Sequence, residues 1–343
     1  MPRLEMDAMD NQMVGAMDGP LRIELAERAI APPAAGEVLV RVACTGICGT
    51  DLAFYREGNL RAGTVAGHEF AGEVIAVGPG VVGLAPGQRV VANPMCDGIG
   101  LGAVPGSFAQ FLTLPAVELG RTVFTLPDGL SDEIGALVEP FAVAVHAIAR
   151  SGAKAGEKVA IFGAGPIGLC ILAGLLARGV TGVVMIDPSP LRRDLALRMG
   201  AEAVHDPAMG SAAAFLGARF GSKTLRYTRE PVAQADLVFD CAGARGVVDD
   251  ALHALAQGGR LCLVADPHHA VIENARLIML HEIDLRGCLA YTSAEFAEAI
   301  ELLASGAVDL SPLVSHRFPL SAIAEAFATQ MDAQRAVKVL IRP

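Results

Sequence analysis

Three side chains that commonly bind metal ions lie next to predicted secondary-structure elements in the first half of the chain. Cys48 follows a predicted strand, His68 precedes another strand, and Glu139 lies at the start of a predicted helix. Three protein ligands of these kinds plus one water molecule are typical of a catalytic zinc site rather than a structural one. Such a zinc ion polarises an alcohol or carbonyl oxygen and lowers the pKa of bound water to about 7. The residue types therefore favour metal-assisted chemistry on an oxygen atom.

Each of these residues also has an explanation that needs no metal ion. A single histidine is most often a surface or core residue, and Cys48 could be a small buried hydrophobic side chain. Cys44 and Cys48 are separated by three residues, which is not the spacing of a standard zinc knuckle. On residue types and spacing alone, both interpretations stay open.

A second candidate binding element is the segment Val159–Asp187. It contains an apolar run, a glycine-rich turn, an apolar segment with helical spacing, a second apolar run and a terminal acid. This order is the βαβ fingerprint of dinucleotide-binding domains, in which the turn approaches a pyrophosphate at the helix N-terminus. Asp187 would accept hydrogen bonds from the ribose hydroxyls of NAD and repel the 2′-phosphate of NADP. A glycine-rich turn in another kind of α/β protein is the alternative. The turn residues predicted to contact the cofactor are Gly163, Ala164, Gly165, Pro166, Ile167 and Gly168.

Three more residues could line this cofactor site. Cys241 and Val264 lie at the ends of predicted strands, where a doubly wound sheet places its ligand, although a packing role explains them almost as well. Arg192 follows Asp187 closely and could flank the adenosine ribose. As a helix charge, Arg192 could equally have no specific role.

The composition is that of an α/β enzyme and argues against several other classes of protein. The chain has 343 residues, enough for two domains, and its 52% apolar content with 38 glycines fits aliphatic cores with many turns. A net charge of −10 without a basic run argues against nucleic acid or an anionic membrane as a partner. Val159–Ala177 carries no charge, but its glycines and Pro166 favour a buried strand and helix over a membrane span.

The cysteines and the N-terminal residues indicate a cytoplasmic protein. The seven cysteines are an odd number and are scattered along the chain. The N-terminus is acidic where an export signal would need a cationic region and an apolar core. We therefore expect reduced thiols, and residues 1–12 have the composition of a polar leader.

The spacing of apolar residues predicts two kinds of fold along the chain. Short strands separated by Gly/Pro turns, including Ser107–Leu112, are typical of a small barrel-like β domain. Strands and helices then alternate, which predicts a doubly wound parallel sheet. The last strand, Val337–Ile341, is expected to return to the first domain. We therefore predict a β-rich domain of residues 1–150 and 288–343, with a dinucleotide-binding domain of residues 151–287 inserted in it. Predicted helices include Pro140–Arg150, Pro190–Met199, Val247–Ala256 and Ser293–Ser305.

The chain resembles the zinc-dependent medium-chain dehydrogenase/reductase family from about Met13 to Ile341. It is most similar to the sorbitol, threonine and butanediol dehydrogenase branch, which has Glu-Pro where other alcohol dehydrogenases have a third cysteine ligand. The resemblance implies an α/β fold with a GroES-like catalytic domain, an inserted Rossmann domain and a site in the cleft between them. The segments that carry it are Gly46–Asp51 (GICGTD), Gly67–Val74 (GHEFAGEV), Val138–Pro140 (VEP) and Gly163–Gly168 (GAGPIG).

The resemblance also implies roles for single residues. Cys48 and His68 match the zinc ligands of the family. Glu69 matches an acid that is a direct ligand in some members. Glu139 matches the third protein ligand, which binds directly or through water. Asp51 matches the acid that orients the ligand histidine from behind it.

Two departures from the family pattern bear on proton transfer and on the number of zinc ions. Thr50 matches the hydroxyl residue that takes the proton from the alcohol, but the frequent histidine three positions later is Ala53 here. A proton relay would then run through the cofactor ribose, water or another residue.

Many members have four closely spaced cysteines that bind a structural zinc, whereas Asn93–Gly106 contains only Cys96. The resemblance therefore implies one catalytic zinc and no structural zinc.

A third departure concerns the substrate. Sorbitol dehydrogenases have Arg before Tyr at the exit from the Rossmann domain, whereas the pair here is Ala290 and Tyr291. Together with Phe54 and Tyr55, this suggests a pocket of lower polarity. The resemblance thus implies hydride transfer between NAD and a secondary alcohol or ketone of moderate polarity.

Two other functions stay open at this point. A zinc-free, NADPH-dependent quinone or enoyl reductase of the same superfamily fits the missing cysteine lobe, but it does not fit the ligand set or Asp187. A non-catalytic NAD-binding sensor does not fit the intact Thr50 and ligand set. Relatives are commonly homodimers or homotetramers that associate through sheet edges near residues 270–290, so we expect a homo-oligomer.

Overall fold

The fold is described from a computed structural model, in which residues 11–224, 229, 231–266 and 272–343 are described. Most of the leader predicted for residues 1–12 therefore lies outside the described residues. Asn11 and Gln12 belong instead to the first strand, where they pair with Ala29 and Arg28. Both residues are polar and carry no apolar alternation, so the sequence pattern indicates this strand only from Met13 onwards.

Strands and helices follow one another in two different patterns along the described residues. The strands are β1 (Asn11–Met17), β2 (Ile23–Ala29), β3 (Val38–Gly46), β4 (Thr64–Val65), β5 (Glu69–Val77), β6 (Arg89–Ala92), β7 (Phe111–Leu114), β8 (Val123–Thr125), β9 (Val159–Phe162), β10 (Val184–Ile186), β11 (Ala203–His205), β12 (Ser222–Thr224), β13 (Pro231–Ala233), β14 (Ala235–Asp240), β15 (Leu255–Leu263), β16 (Asp284–Gly287), β17 (Val314–Pro319) and β18 (Lys338–Arg342). The α-helices are α1 (Gly49–Glu57), α2 (Asp132–Ala136), α3 (Val138–Ser151), α4 (Pro166–Ala177), α5 (Pro190–Arg198), α6 (Ala212–Phe220), α7 (Val247–Ala254), α8 (Arg276–Leu280), α9 (Ser293–Ala304) and α10 (Ile323–Met331).

The first compact unit contains the residues up to Ala142 together with Tyr291–Pro343. Its main sheet has the strand order β17-β18-β3-β5-β6-β8, with β7 also paired to β3, and a smaller sheet has the order β2-β1-β4. The alternating residues Val38, Val40 and Val42 of β3 are buried in its core. Strand β18 pairs with β3 in antiparallel orientation. The chain therefore returns to the β-rich unit at its end, as predicted.

The second compact unit is Val143–Ala290, and it contains the predicted doubly wound sheet. Six parallel strands have the order β11-β10-β9-β14-β15-β16, so the sheet winds outwards in both directions from β9 and β14. All residues of β9 are buried, since both faces of a central parallel strand are covered. No helix in the described part of the chain is long and apolar enough to cross a membrane.

Several elements begin or end at other residues than predicted. Helix α7 ends at Ala254, because Leu255 already pairs with Ala235 of the neighbouring strand. The strand predicted over Ser107–Leu112 begins only at Phe111, because the N–H groups of Ser107 and Phe108 bond to the Ala66–Gly67 loop.

The division between the two units falls inside α3, after Ala142, and again after Ala290. The predicted domain limits lie at residues 150 and 288. As limits of independently folding domains they stay a prediction.

Candidate active site

Cys48, His68 and Glu69 bring three metal-binding atoms together in the first unit. Their ligand atoms all lie within 4.8 Å of one another, which is true of no other such group among the described residues. Cys48 lies at the N-terminus of α1, His68 directly precedes β5, and Glu69 is the first residue of β5. His68 and Glu69 are buried and Cys48 is half-buried. A thiolate, an imidazole and a carboxylate at these separations match the donor set of a catalytic zinc site.

Asp51 connects the two segments that carry these donors. Its Oδ2 accepts a hydrogen bond of 2.9 Å from the Cys48 N–H, and its Oδ1 accepts one of 3.2 Å from the Gly67 N–H. His68 Nδ1 lies 3.7 Å from Asp51 Oδ1, which is too long for a hydrogen bond but close enough for charge attraction. Asp51 therefore fixes the positions of Cys48 and His68 relative to each other.

The electrostatic surroundings of His68 favour a cation in this cluster. Burial lowers the pKa of His68, but Asp51, Cys48 and Glu139 raise it, and the pKa lies well above its usual range. His68 Nδ1 is also buried without a hydrogen-bond partner. In the metal-free protein a proton supplies the positive charge that the surrounding anionic groups favour. A divalent cation would supply it instead, so the residues present fit a zinc ion.

Besides the metal-binding group, Glu69 contacts a buried residue that sequence analysis did not predict. Lys338 of β18 forms an ion pair with the Glu69 carboxylate, and both side chains are only 1% exposed. The Lys338 ammonium also donates a hydrogen bond of 3.0 Å to the Ile47 carbonyl. Burial lowers the pKa of Lys338, but Glu69 together with Cys48 and Glu139 raises it above its usual value, which favours the charged ammonium. The sequence does contain a signal, because a single charge inside the apolar run Val337–Ile341 must be paired when that run is buried.

Glu139 lies near this group but is not one of its members. Its Oε1 accepts a hydrogen bond of 2.7 Å from the Tyr291 hydroxyl. Burial raises the pKa of Glu139 to about 7, although His68 and the Tyr291 hydrogen bond act in the other direction. Burial also raises the pKa of Tyr291 well above its usual range, and Glu139 adds to this effect. Tyr291, which we predicted at the substrate, is therefore a neutral hydrogen-bond donor to Glu139.

The other residues predicted around the substrate lie on α1. Thr50 is exposed in the first turn of this helix, and Phe54 is half-buried. Tyr55 is buried in the hydrophobic core of the first unit, with its ring centroid 5.0 Å from that of Phe327. A substrate role for Tyr55 stays a prediction, and this packing contact explains the residue without one.

The glycine-rich turn of the second unit has the geometry that the fingerprint requires. Gly163 follows β9 with a φ of 99°, which favours glycine, and its N–H donates a hydrogen bond of 2.8 Å to the Ile186 carbonyl. A side chain at Gly168 would collide with the Gly163 carbonyl oxygen. Gly165 caps α4 and Pro166 is its first residue, as is common at helix N-termini. The turn therefore presents the N-terminus of an apolar helix, followed by the half-buried Ile167.

Asp187 contacts this turn directly. Its Oδ2 accepts a hydrogen bond of 2.7 Å from the Ala164 N–H, and its Oδ1 accepts one of 2.7 Å from the Ser189 N–H. An ionised carboxylate has about four acceptor positions, so further positions exist for ribose hydroxyls. The nearby Arg192 is half-buried, and burial lowers its pKa while the charge of Asp187 raises it.

Asp240 positions the two remaining cofactor candidates. Its Oδ1 accepts hydrogen bonds from the N–H groups of Ala242 (3.0 Å) and Gly243 (2.9 Å), which shapes the turn after Cys241. Its carbonyl accepts a hydrogen bond of 2.9 Å from the Val264 N–H. The half-buried Cys241 and Val264 therefore lie beside each other, at the carboxyl ends of β14 and β15.

Two sequence families match successive parts of the chain. The family described as the alcohol dehydrogenase GroES-like domain matches residues 34–128, and the family described as zinc-binding dehydrogenase matches residues 166–305. The first match contains the metal-binding group. The second begins within the glycine-rich turn.

Two relatives are similar over nearly their whole length. The chain is 33% identical to 2-dehydro-3-deoxy-L-galactonate 5-dehydrogenase from Pseudoalteromonas atlantica, over 91% of this chain and 93% of that protein. It is 30% identical to sorbitol dehydrogenase from Gallus gallus, over 94% of each chain.

Solved structures agree with these relatives. 2R,3R-butanediol dehydrogenase from Bacillus subtilis has a TM-score of 0.85 and 29% identity, with 97% of this chain and 99% of that chain covered. A zinc-binding dehydrogenase structure from Sinorhizobium meliloti, bound to NADP, has a TM-score of 0.83 and 27% identity, with 97% and 99% covered.

Proposed function

This chain belongs to the zinc-binding dehydrogenase family, and we propose that it transfers a hydride between a secondary alcohol or its ketone and NAD, with one catalytic zinc ion. The observation that carries this proposal is the buried group of Cys48, His68 and Glu69, whose ligand atoms lie within 4.8 Å of one another. Zinc and a nicotinamide cofactor are general features of the family. The preference for NAD, the single zinc ion and the residue roles are our proposals.

The chain's own residues would bind, orient and deprotonate the substrate. When bound, zinc supplies a positive charge that polarises the substrate oxygen, and the nicotinamide exchanges the hydride. Cys48, His68 and Glu69 would hold the metal ion, and Asp51 would keep the imidazole in its orientation. Thr50 is exposed two residues after Cys48 and would accept the hydroxyl proton from the substrate while passing its own proton to the cofactor ribose, water or another residue.

The proposed preference for NAD depends on Asp187. Its carboxylate lies at the turn, where it accepts a hydrogen bond of 2.7 Å from the Ala164 N–H. A 2′-phosphate next to this carboxylate would be repelled, whereas ribose hydroxyls could donate to it. Because the Sinorhizobium meliloti structure was solved with NADP, the family alone does not decide between the two cofactors.

The proposed substrate is a secondary alcohol of moderate polarity. Ala290 stands where sorbitol dehydrogenases have arginine, so this position offers no cation to a polyol. The relatives act on a diol, a polyol and a sugar acid by their names, and each of these compounds contains a secondary hydroxyl. The proposal of a single zinc ion is supported by the segment Asn93–Gly106, where Cys96 is the only cysteine.

A homodimer or homotetramer is the proposed assembly. Strand β16 is an edge of the parallel sheet, and Leu285 and Leu289 next to this edge are 41% and 85% exposed. An exposed strand edge with apolar side chains is a favourable surface for pairing with a second copy. Light scattering of the purified protein measures the assembly directly.

A panel of secondary alcohols with NAD⁺, followed through NADH absorbance, tests the reaction. We expect turnover of at least one secondary alcohol by the native protein, and loss of that turnover after treatment with a zinc chelator. Tight binding of NAD without turnover of any alcohol or ketone would contradict an enzymatic role and favour a cofactor sensor.

A further inference from the structure

Two buried carboxylates near the candidate zinc site have partners of different charge. Glu69 pairs with the Lys338 ammonium, and its ligand atom lies within 4.8 Å of those of Cys48 and His68. Glu139 accepts a hydrogen bond of 2.7 Å from the neutral Tyr291 hydroxyl. Among the described residues, Glu139 is not part of the group of mutually close ligand atoms.

We propose that Tyr291 is a positioning residue, which holds Glu139 outside the coordination of the metal ion. The protein ligands are then Cys48, His68 and Glu69. Glu139 would then stay near the metal ion without binding it. This inference rests on the proposed zinc-dependent function. It assigns Tyr291 to the metal site and not to the substrate pocket.

The Tyr291 hydroxyl is fixed well enough to hold a carboxylate. Its ring is buried, and its centroid lies 5.5 Å from that of Phe296. The next residue, Thr292, caps α9 by accepting a hydrogen bond of 3.2 Å from the Glu295 N–H. The backbone of Tyr291 is therefore anchored at a helix N-terminus while its ring is packed. A buried hydroxyl whose ring and backbone are both fixed keeps its hydrogen bond in one geometry.

Charge balance explains why Glu139 has a neutral partner. A Zn²⁺ ion bound by the Cys48 thiolate, the Glu69 carboxylate and a neutral His68 has no net charge. The metal ion then has no excess of positive charge to attract a second carboxylate, so the buried Glu139 carboxylate needs a hydrogen-bond donor of its own. The Tyr291 hydroxyl satisfies one oxygen of Glu139. Without this hydroxyl, the buried Glu139 carboxylate must find another partner, and coordination of the metal ion would provide one.

Cobalt substitution tests this inference with a spectrum rather than with activity. Co²⁺ is exchanged into the full-length native protein and into the Tyr291→Phe, Glu139→Gln and double variants. Tyr291→Phe removes only the hydroxyl and keeps the ring contact with Phe296. If Glu139 then joins the coordination shell, the higher coordination number lowers the intensity of the visible cobalt bands.

The expected result is a loss of band intensity in Tyr291→Phe that is absent when Tyr291→Phe is combined with Glu139→Gln. An unchanged spectrum in Tyr291→Phe overturns the inference. A loss that persists in the double variant overturns it as well, because Tyr291 would then act on the metal by another route. If Tyr291→Phe does not fold, the cobalt spectrum of Glu139→Gln is compared with that of the native protein. The same spectrum in both supports the inference that Glu139 is not a ligand. A changed spectrum that shows the loss of a ligand overturns the inference.

A sulfur-to-cobalt absorption band in the native protein, absent from Cys48→Ser, separates this inference from the proposed function. Absence of this band in the native protein contradicts the zinc-dependent function, and the inference fails with it. Presence of the band with no response to Tyr291→Phe contradicts the role of Tyr291 alone.

Discussion

The two units provide binding elements of different physical kinds. In the first unit, the candidate metal site consists of buried side chains, and each has a charged or polar partner. Asp51 lies beside Cys48 and His68, Lys338 pairs with Glu69, and Tyr291 bonds to Glu139. In the second unit, the cofactor turn consists mainly of backbone, with glycines where a side chain would collide and with one acid, Asp187, bonded to it.

This difference predicts how each half responds to change. A site made of buried side chains depends on the protonation state and the presence of each partner. A site made of backbone N–H groups does not titrate, and it tolerates most substitutions that leave its glycines intact. Substitutions in the first unit should therefore have larger effects on activity and stability than those in the second.

Cys48→Ser should have the largest effect. Removing the thiolate ligand should abolish zinc binding and lower kcat/KM by about 1000-fold or more, because the metal ion stabilises several kcal/mol of developing charge. NAD affinity should change by less than about twofold, since no residue of the cofactor turn is altered. Zinc analysis, alcohol-oxidation assays and NAD titration measure the three quantities.

Cys96→Ser is the matched control for this variant. Cys96 is an exposed cysteine of the same unit, outside the metal-binding group. We expect it to keep zinc and activity. Full activity in Cys48→Ser, or loss of zinc in Cys96→Ser, would show that the ligand set is wrong.

Lys338→Met should have the next largest effect. It leaves the buried Glu69 carboxylate without its ion-pair partner, which should lower the free energy of unfolding of the metal-free protein by about 3–5 kcal/mol. Urea denaturation measures this change. The double variant Lys338→Met, Glu69→Gln should recover most of it, because no unpaired charge is left. An equal loss of unfolding free energy in the single and the double variant would mean that the broken ion pair does not cause the destabilisation.

Zinc affinity should depend on pH more strongly than NAD affinity does. Burial lowers the pKa of His68, but Asp51, Cys48 and Glu139 raise it, and the pKa lies well above its usual range, so zinc must compete with a proton for this side chain. Each proton that zinc displaces weakens zinc binding by up to about tenfold for each pH unit of acidification, so zinc should bind more weakly at pH 6 than at pH 8. Competition with a chelator measures zinc affinity at both pH values. We expect NAD affinity, which should rely mainly on backbone N–H groups, to vary little. An equal pH dependence of zinc affinity and NAD affinity would contradict the comparison between the two units.

Asp187→Ala should have the smallest effect of the four. We expect NAD to bind about tenfold more weakly and the discrimination against NADP to relax, because one acceptor for ribose and one negative charge are lost. Initial rates with both cofactors measure this. Asp194→Ala is the control, since Asp194 is an exposed acid of the same unit whose partner is Arg198. Unchanged cofactor preference in Asp187→Ala would remove our reason for proposing NAD.

The sequence predicts the backbone-based half better than the side-chain-based half. The order of strand, turn, helix, strand and acid lies within Val159–Asp187, so local spacing is enough to predict it. The metal-binding residue types are visible as well, but their partners are distant in sequence. Tyr291 and Glu139 are 152 positions apart, and no pattern in one segment reveals their hydrogen bond.

Two residues show where more could have been predicted. Tyr55 lies one helical turn after Asp51, and both face the interior of the first unit. This spacing also fits a core position, which the packing of Tyr55 against Phe327 explains. Lys338 is a lone charge in an apolar strand, which indicates a buried partner. The identity of that partner, Glu69, depends on the pairing of β18 with β3 and of β3 with β5, and it is visible only in the fold.

Zinc-dependent hydride transfer is best tested by measuring zinc content together with activity. We expect about one zinc ion per chain, loss of alcohol oxidation when a chelator removes it, and recovery when zinc is returned. Less than about 0.2 zinc per chain, with NADPH-dependent reduction of quinones or enones that survives chelation, would contradict it and identify a zinc-free reductase.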